Sequence, residues 1–326
     1  MEIRRMIEEI RSRVGEGGID SVFFVACGGS IAGLYPAWYL ISHEAKKLRT
    51  SCYNSNEFVY ATPKACGPQS IVICCSLMST PETVDACKKA RELGAQVIAL
   101  VGQKDADMTK IAQHSIPYQG YDARKRDTSI VQTKHSIALR LAFEILNEFE
   151  GCEFYDKALE SFDLLDSIVQ YALHYTDRRT SLFAKKTEHE KIIYVMGSGA
   201  NNGVVYASSI CNLLECMWTD SIVVNTGEYF HGPFEMTDQN LAVMLIIGSG
   251  RTRPMDERAL TFLKRYCDNL TVIDMKTFGI DRLDKSVGEY FDPVICMPVM
   301  DIYNTALANL RGHDEKDRRY MHKMPY

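Results

Sequence analysis

The sequence predicts an α/β protein built from two tandem three-layer αβα domains with mainly parallel sheets. Three observations predict it. Continuous apolar runs of strand length alternate with amphipathic stretches of helix length, the pattern of a parallel sheet covered on both faces. The alternation starts over past the middle of the chain. The same strand–glycine turn–helix unit also occurs twice, as Val25-Ala-Cys-Gly-Gly-Ser30 and as Val195-Met-Gly-Ser-Gly-Ala200. At 326 residues the chain has room for two domains of ordinary size. The boundary is expected near residues 150–160, giving 1–155 (with an N-terminal helix) and 156–326 (with a C-terminal tail).

Taken in order, Ser21–Ala26 is a buried strand, followed by a helix over Ile31–Lys47. Ile71–Cys75 and Val97–Val101 are two further strands, separated by a helix over Pro81–Leu93. Thr80 is its expected N-cap, with Pro81 at the first helical position and Glu82 in the first turn. Helices over Ser129–Phe149 and Tyr155–Lys186 lead to the strand Lys191–Met196 and the glycine turn Gly197–Gly203. A helix over Val204–Trp218 follows. Ser221–Asn225, Leu241–Ile247 and Leu270–Asp274 supply the remaining strands, with a proline-started helix over Pro254–Tyr266.

The composition is globular, with 46% apolar and 24% charged residues. A net charge of −5 argues against a nucleic-acid partner, and the one dense basic run, Arg124-Lys-Arg126, is bracketed by Asp122 and Asp127. Eleven cysteines include no Cys-x-x-Cys pair, so neither a disulfide framework nor a zinc site is expected. No signal peptide and no apolar run of membrane-spanning length are expected, which makes the chain cytoplasmic in this reading.

Two side chains stand out as proton carriers. Glu215 lies in the apolar run Ile210–Trp218, and His231 follows sixteen residues later in the turn-rich Thr226–Glu235. A carboxylate and an imidazole suit proton transfer on carbon near neutral pH, if the fold brings them to one pocket. The alternative is a helix-capping glutamate and a loop histidine. The turn Gly28-Gly29-Ser30 places backbone N–H groups at a helix start, where an anion such as a phosphate is favoured. Tight strand–helix packing is the alternative there. Gly197, Gly199 and Gly203 miss the Gly-x-Gly-x-x-Gly spacing by one residue, so no dinucleotide cofactor is expected. In Cys75–Thr83, the hydroxyls of Ser76, Ser79, Thr80 and Thr83 gather at a second helix start, more than capping alone requires.

These features resemble the sugar isomerase (SIS) domain family, and most closely its deglycases of phosphorylated fructosamines. The isomerase half of glucosamine-6-phosphate synthase shares the layout. The resemblance runs over nearly the whole chain. It is carried by Phe23–Ser30, Tyr53–Phe58, Thr80–Thr83, Gly227–Glu235, Asp256–Leu260 and Arg318–Met321, and most specifically by the segment around His231. It implies a homodimer or higher homo-oligomer with active sites at the subunit interface. Glu215 would be the catalytic carboxylate, and His231, acting on ring oxygens, would reach the neighbouring subunit's site. Ser30, Thr80 and Thr83 would hold the sugar phosphate, with Gly29, Cys75, Ser76 and Ser79 on the same two loops as candidate contacts. The tail Arg318–Tyr326 is a candidate cover with Lys323 as an anion partner; a merely docked tail is the alternative. Tyr35, Tyr53, Asn54 and Glu57 are candidates for the amino-acid pocket, with ordinary surface roles as their alternative.

One departure is visible. The family's second loop usually runs Ser-x-Ser-Gly-x-Thr, and aligned on Thr80 this chain has Cys75, Leu77 and Met78 at those three places. The expected substrate is a 6-phosphorylated fructose–amino acid adduct, cleaved to glucose 6-phosphate and an amino acid without metal or organic cofactor. Rival readings are an aldose–ketose isomerase or aminotransferase-type enzyme and a non-catalytic sugar-phosphate-binding protein. The synthase reading is disfavoured because no glutaminase domain is expected in the sequence.

Overall fold

The computed structural model describes residues 2–321 and 323–325. The chain divides into two compact units: residues up to Tyr121 with Asp127–Asp163, and Asp122–Arg126 with everything from Leu164 on. The division falls inside one long helix, Tyr155–Thr187.

The first unit holds a five-stranded parallel sheet in the order β2-β1-β3-β4-β5. Its strands are β1 (Ser21–Ala26), β2 (Arg49–Asn54), β3 (Ser70–Ser76), β4 (Gln96–Val101) and β5 (His114–Pro117). Every residue of β1 and β3 is buried, as expected for central strands with helices on both faces. One helical layer is α1 (Glu2–Val14), α2 (Gly28–Glu44) and α6 (Lys134–Glu150). The other is α3 (Ser55–Tyr60), α4 (Pro81–Glu92) and α5 (Asp107–Ile111). The core beneath α4 is built from Val25, Phe58, Val72, Cys74, Cys87 and Val97, among others. α7 is the long helix Tyr155–Thr187 that leads into the second unit.

The second unit repeats the plan with four parallel strands in the order β7-β6-β8-β9. These are β6 (Ile192–Gly197), β7 (Asp220–Asn225), β8 (Ala242–Ile247) and β9 (Leu270–Asp274). Its helices are α8 (Asn202–Ala207), α9 (Arg253–Tyr266) and α10 (Gly288–Arg311).

Several expectations need correction. The helix after the first glycine turn starts at Gly28, not Ile31, because the Ile31 N–H already bonds Cys27 O at 3.4 Å and the turn itself becomes the first helical turn. The helix expected over Ser129–Phe149 is a 3₁₀ turn, Ile130–Gln132, followed by α6 behind an N-cap at Thr133. The single helix expected over Val204–Trp218 is α8 continued by a π-helical stretch, Ser208–Cys216. β2 and β5 escaped the apolar-run criterion because both are sheet edges, half exposed and polar in sequence.

Among the described residues no helix is long and apolar enough to cross a membrane. All eleven cysteines carry free thiols. The basic run is ion-paired, Arg124 to Asp122 and Arg126 to Asp177.

Candidate active site

In an open parallel sheet, ligands bind in the crevice outside the carboxyl ends of the two strands where the order reverses. In the first unit that point lies between β1 and β3. The loop after β1 carries Gly29 and Ser30, both half-buried in the first turn of α2. The end of β3, the loop after it and the first turn of α4 carry Cys75, Ser76, Ser79, Thr80 and Thr83. The fold therefore brings all the first-unit candidates to one crevice edge.

The hydroxyls have divided roles. Ser76 is buried, and its Oγ accepts the Thr80 N–H at 3.1 Å. Thr83 is buried with its Oγ1 2.9 Å from Ser55 Oγ and 3.3 Å from Thr80 Oγ1. Thr80 occupies the N-cap position, but its side chain makes no capping bond, a correction to the expected role. Thr80 itself is exposed. Ser79 sits at φ +54°, a left-handed conformation that costs a non-glycine residue energy, and its Oγ accepts the Met108 N–H at 3.4 Å. Leu77 and Met78, at the family's serine and glycine places, are more than half exposed.

Sequence reasoning missed two neighbours of this crevice. Tyr118, just past β5, is buried beside Ser30 and Cys75. Lys134, the first residue of α6, lays its stem against Gly33, where an added Cβ would stand 2.8 Å from Lys134 Cγ. Burial pushes the Cys75 thiol up to about 11, while Lys134 pulls it the other way. Cys75 is therefore a neutral floor to the crevice and Lys134 its nearby cation. Neither residue carries a motif; only the β4–β5 edge and the α6 cap place them.

The corresponding crevice of the second unit, between β6 and β8, is filled from within. Asp256 of α9 accepts from Ser198 Oγ at 2.7 Å, Thr226 Oγ1 at 2.6 Å and the Gly248 N–H at 3.0 Å. Asp292 of α10 accepts from Ser249 N–H at 2.7 Å and Ser249 Oγ at 2.8 Å. These carboxylates take the donors that an external anion would need. Gly199 (φ +57°) matches Gly28 in conformation.

Glu215 ends the π-helical stretch, a wide-turn geometry that often occurs at functional positions. It lines a cleft of about 480 Å³ with Leu214, Trp218, Asp220, Arg318, Arg319 and Tyr320. Arg318 Nη2 and Nε lie 2.8 and 3.0 Å from the same oxygen, Glu215 Oε1. Nη2 also reaches Cys216 Sγ at 3.2 Å. The tail therefore covers Glu215, as the sequence suggested, but through Arg318. Lys323 is exposed in a turn, with its N–H on Tyr320 O at 2.9 Å and no ion pair among the described residues. His322 and Tyr326 of the tail lie outside the described residues.

His231 is elsewhere. It is exposed in the 3₁₀ turn Tyr229–His231, and its ring makes no hydrogen bond with a described group. The turn is anchored by buried Tyr229 against Phe262 of α9, and by the Thr226 N–H on Gly197 O at 3.0 Å. Glu215 shares its cleft with Asp220, the first residue of β7, whereas the His231 turn leaves from the last, Asn225. At ~3.3 Å per residue those strand ends are about 17 Å apart. His231 is not among the residues that line the Glu215 cleft. Of the candidates for the amino-acid pocket, Asn54 and Glu57 form a capping pair on α3, and Tyr53 packs on Phe23 and Phe58.

No family profile matches the chain. It is 37% identical over 326 residues to the fructosamine deglycase FrlB of Bacillus subtilis (strain 168), covering 100% of this chain and 97% of that protein. It is 23% identical to the fructoselysine 6-phosphate deglycase of Escherichia coli (strain K12), covering 98% and 89%. A solved chain from Salmonella typhimurium LT2, described as a candidate phosphosugar isomerase, superposes with a TM-score of 0.95 at 42% identity, covering 99% and 98%. The C-terminal domain of glucosamine-fructose-6-phosphate aminotransferase from Francisella tularensis shares the fold, with a TM-score of 0.74 at 15% identity and coverage of 96% and 95%. With its two parallel sheets and a relative this similar along its full length, the chain belongs to the fructosamine deglycase family of tandem SIS-domain proteins.

Proposed function

We propose that this protein is a deglycase that cleaves a 6-phosphorylated fructose–amino acid adduct to glucose 6-phosphate and the free amino acid. The observation that carries the reading is a carboxylate, Glu215, opening on a cleft in a chain alike over its whole length to a fructosamine deglycase. In the substrate the C2 carbonyl acidifies the C1 protons, and C1 bears the amine. His231 moves a proton between ring oxygen and O2 to open the ring. Glu215 then takes a C1 proton, giving an enaminol, and C2 is reprotonated. The resulting C1 imine is hydrolysed by water, releasing aldose and amine. Each positioned proton transfer is worth about 10²–10⁴-fold.

The first-unit crevice suits the 6-phosphate, with Ser30, Thr80 and the N-terminal amides of α2 and α4 as donors and Lys134 as nearby charge. The working unit in this reading is a homodimer or higher oligomer, in which His231 serves a neighbouring subunit. Its support is the separation of Glu215 from His231 along β7, together with exposed Ile210, Leu214 and Trp218 at four-residue spacing beside Glu215. Edge strand β7 also exposes Ile222 and Val223. The free thiols fit a cytoplasmic setting. Incubation with a panel of 6-phosphofructosyl amino acids, assayed for glucose 6-phosphate, tests the reading. Release of none from any adduct, by protein that is folded, rejects it.

A further inference from the structure

The cleft beside Glu215 carries charges that proton transfer does not use. Arg319 stacks its guanidinium over the Trp218 indole, 4.4 Å from the ring centroid. Unlike Arg318, whose donors go to Glu215, Cys216 and two backbone carbonyls, Arg319 pairs with no carboxylate among the described residues. Stacking occupies the faces of a guanidinium and leaves its in-plane N–H fork free, and that fork matches a carboxylate.

Its platform is held in place at a cost. Trp218 has φ +50°, a left-handed conformation rare for a bulky side chain. The indole is braced edge-on by His313, at 4.7 Å between centroids, and His313 Nε2 is itself 2.7 Å from Cys216 O. Local strain of this kind persists where the surroundings over-determine it, often at ligand sites. Asp220, exposed on the same cleft, has no ion-pair partner among the described residues. A free guanidinium, a free carboxylate and an aromatic wall beside the proposed C1 base match the two charges and carbon chain of an amino acid.

We infer that this cleft is the subsite for the amine half of the adduct, with Arg319 binding the amino acid's free carboxylate and Asp220 facing its ammonium. This rests on the deglycase reading and narrows it: substrates carrying a carboxylate are preferred over adducts of simple amines. Arg319 is thus a specificity-determining residue that leaves the proton transfers untouched.

The test compares paired ligands that differ only in the carboxylate: 6-phosphofructosyl-glycine against 6-phosphofructosyl-methylamine, and the ε-linked lysine adduct against its decarboxylated counterpart. Calorimetric titration into Glu215→Gln, expected to hold adducts without turning them over, reads binding free of catalysis. In at least one pair the carboxylate form should bind about tenfold to a hundredfold tighter. Adding Arg319→Gln should remove that preference and leave the decarboxylated ligand unchanged, while Arg319→Lys should keep part of it. Equal binding within both pairs, or an Arg319→Gln loss shared by both members, overturns the subsite while leaving the deglycase reading intact. Failure of every adduct to bind, with no glucose 6-phosphate released by the parent protein, rejects both.

Discussion

Arg318 reaches back 103 residues to hold Glu215, placing Nη2 and Nε on the single oxygen Oε1 at 2.8 and 3.0 Å. Neither of these two contacts uses Oε2. The carboxylate is thus aimed by the C-terminal tail and not by its own helix alone. Arg318→Ala should lower kcat by about 10- to 100-fold with KM little changed, and guanidinium ion added to the solution should restore part of the rate. An unchanged kcat, or no rescue in a folded variant, would show that the contact only anchors the tail.

Glu215→Gln keeps the shape of the side chain while removing the base. It should fold as the parent does and lose turnover by about 10²-fold or more. Near-parental glucose 6-phosphate release would assign proton abstraction to another group.

Because Glu215 and the His231 turn lie at opposite ends of β7, the shared-site arrangement makes a prediction that a single-chain site does not. Glu215→Ala and His231→Ala, each inactive alone, should regain activity when mixed under conditions of subunit exchange, since a hybrid dimer holds one intact site. Proven exchange without recovery would refute the arrangement.

The crevice of the first unit separates binding from stability. Thr80→Val should weaken a 6-phosphorylated ligand by about 10- to 100-fold and leave an unphosphorylated analogue unaffected. Since the Thr80 hydroxyl makes no capping bond, the urea midpoint should barely move. Ser76→Ala should instead cost about 1 kcal/mol, because Ser76 Oγ accepts the Thr80 N–H. Leu77→Ala and Met78→Ala, at exposed positions without donors, should preserve the phosphate preference.

Burial raises the Asp292 carboxyl from 3.8 to about 7. Below pH 4 both folded and unfolded chains hold this proton; between about 4 and 7 only the folded chain does. Stability should therefore fall as pH rises through that window, by up to about 4 kcal/mol. Asp292→Asn can still accept the Ser249 N–H and donate to Ser249 Oγ, so it should flatten the profile. Urea midpoints at pH 5 and pH 8 measure the difference; an equal slope in the parent and Asp292→Asn would remove Asp292 as its source.

The architecture was legible in the sequence because central parallel strands are buried on both faces and appear as unbroken apolar runs. β1, β3, β4, β6 and β8 were all found that way; the second sheet's edge strands β7 and β9 were found because they are apolar in sequence, and the polar edge strands β2 and β5 were missed. Residue chemistry and motif spacing singled out Glu215, His231 and the hydroxyl loops, since those features are local. What only the tertiary structure decided are relations between distant segments. The sequence could not tell that Asp256 and Asp292 fill the second crevice, because carboxylates in α9 and α10 look like ordinary helix residues until their donors close around them. Nor could it separate Arg318, which holds Glu215, from Arg319, which stacks on Trp218: adjacent arginines differ only in what the folded chain sets before each of them.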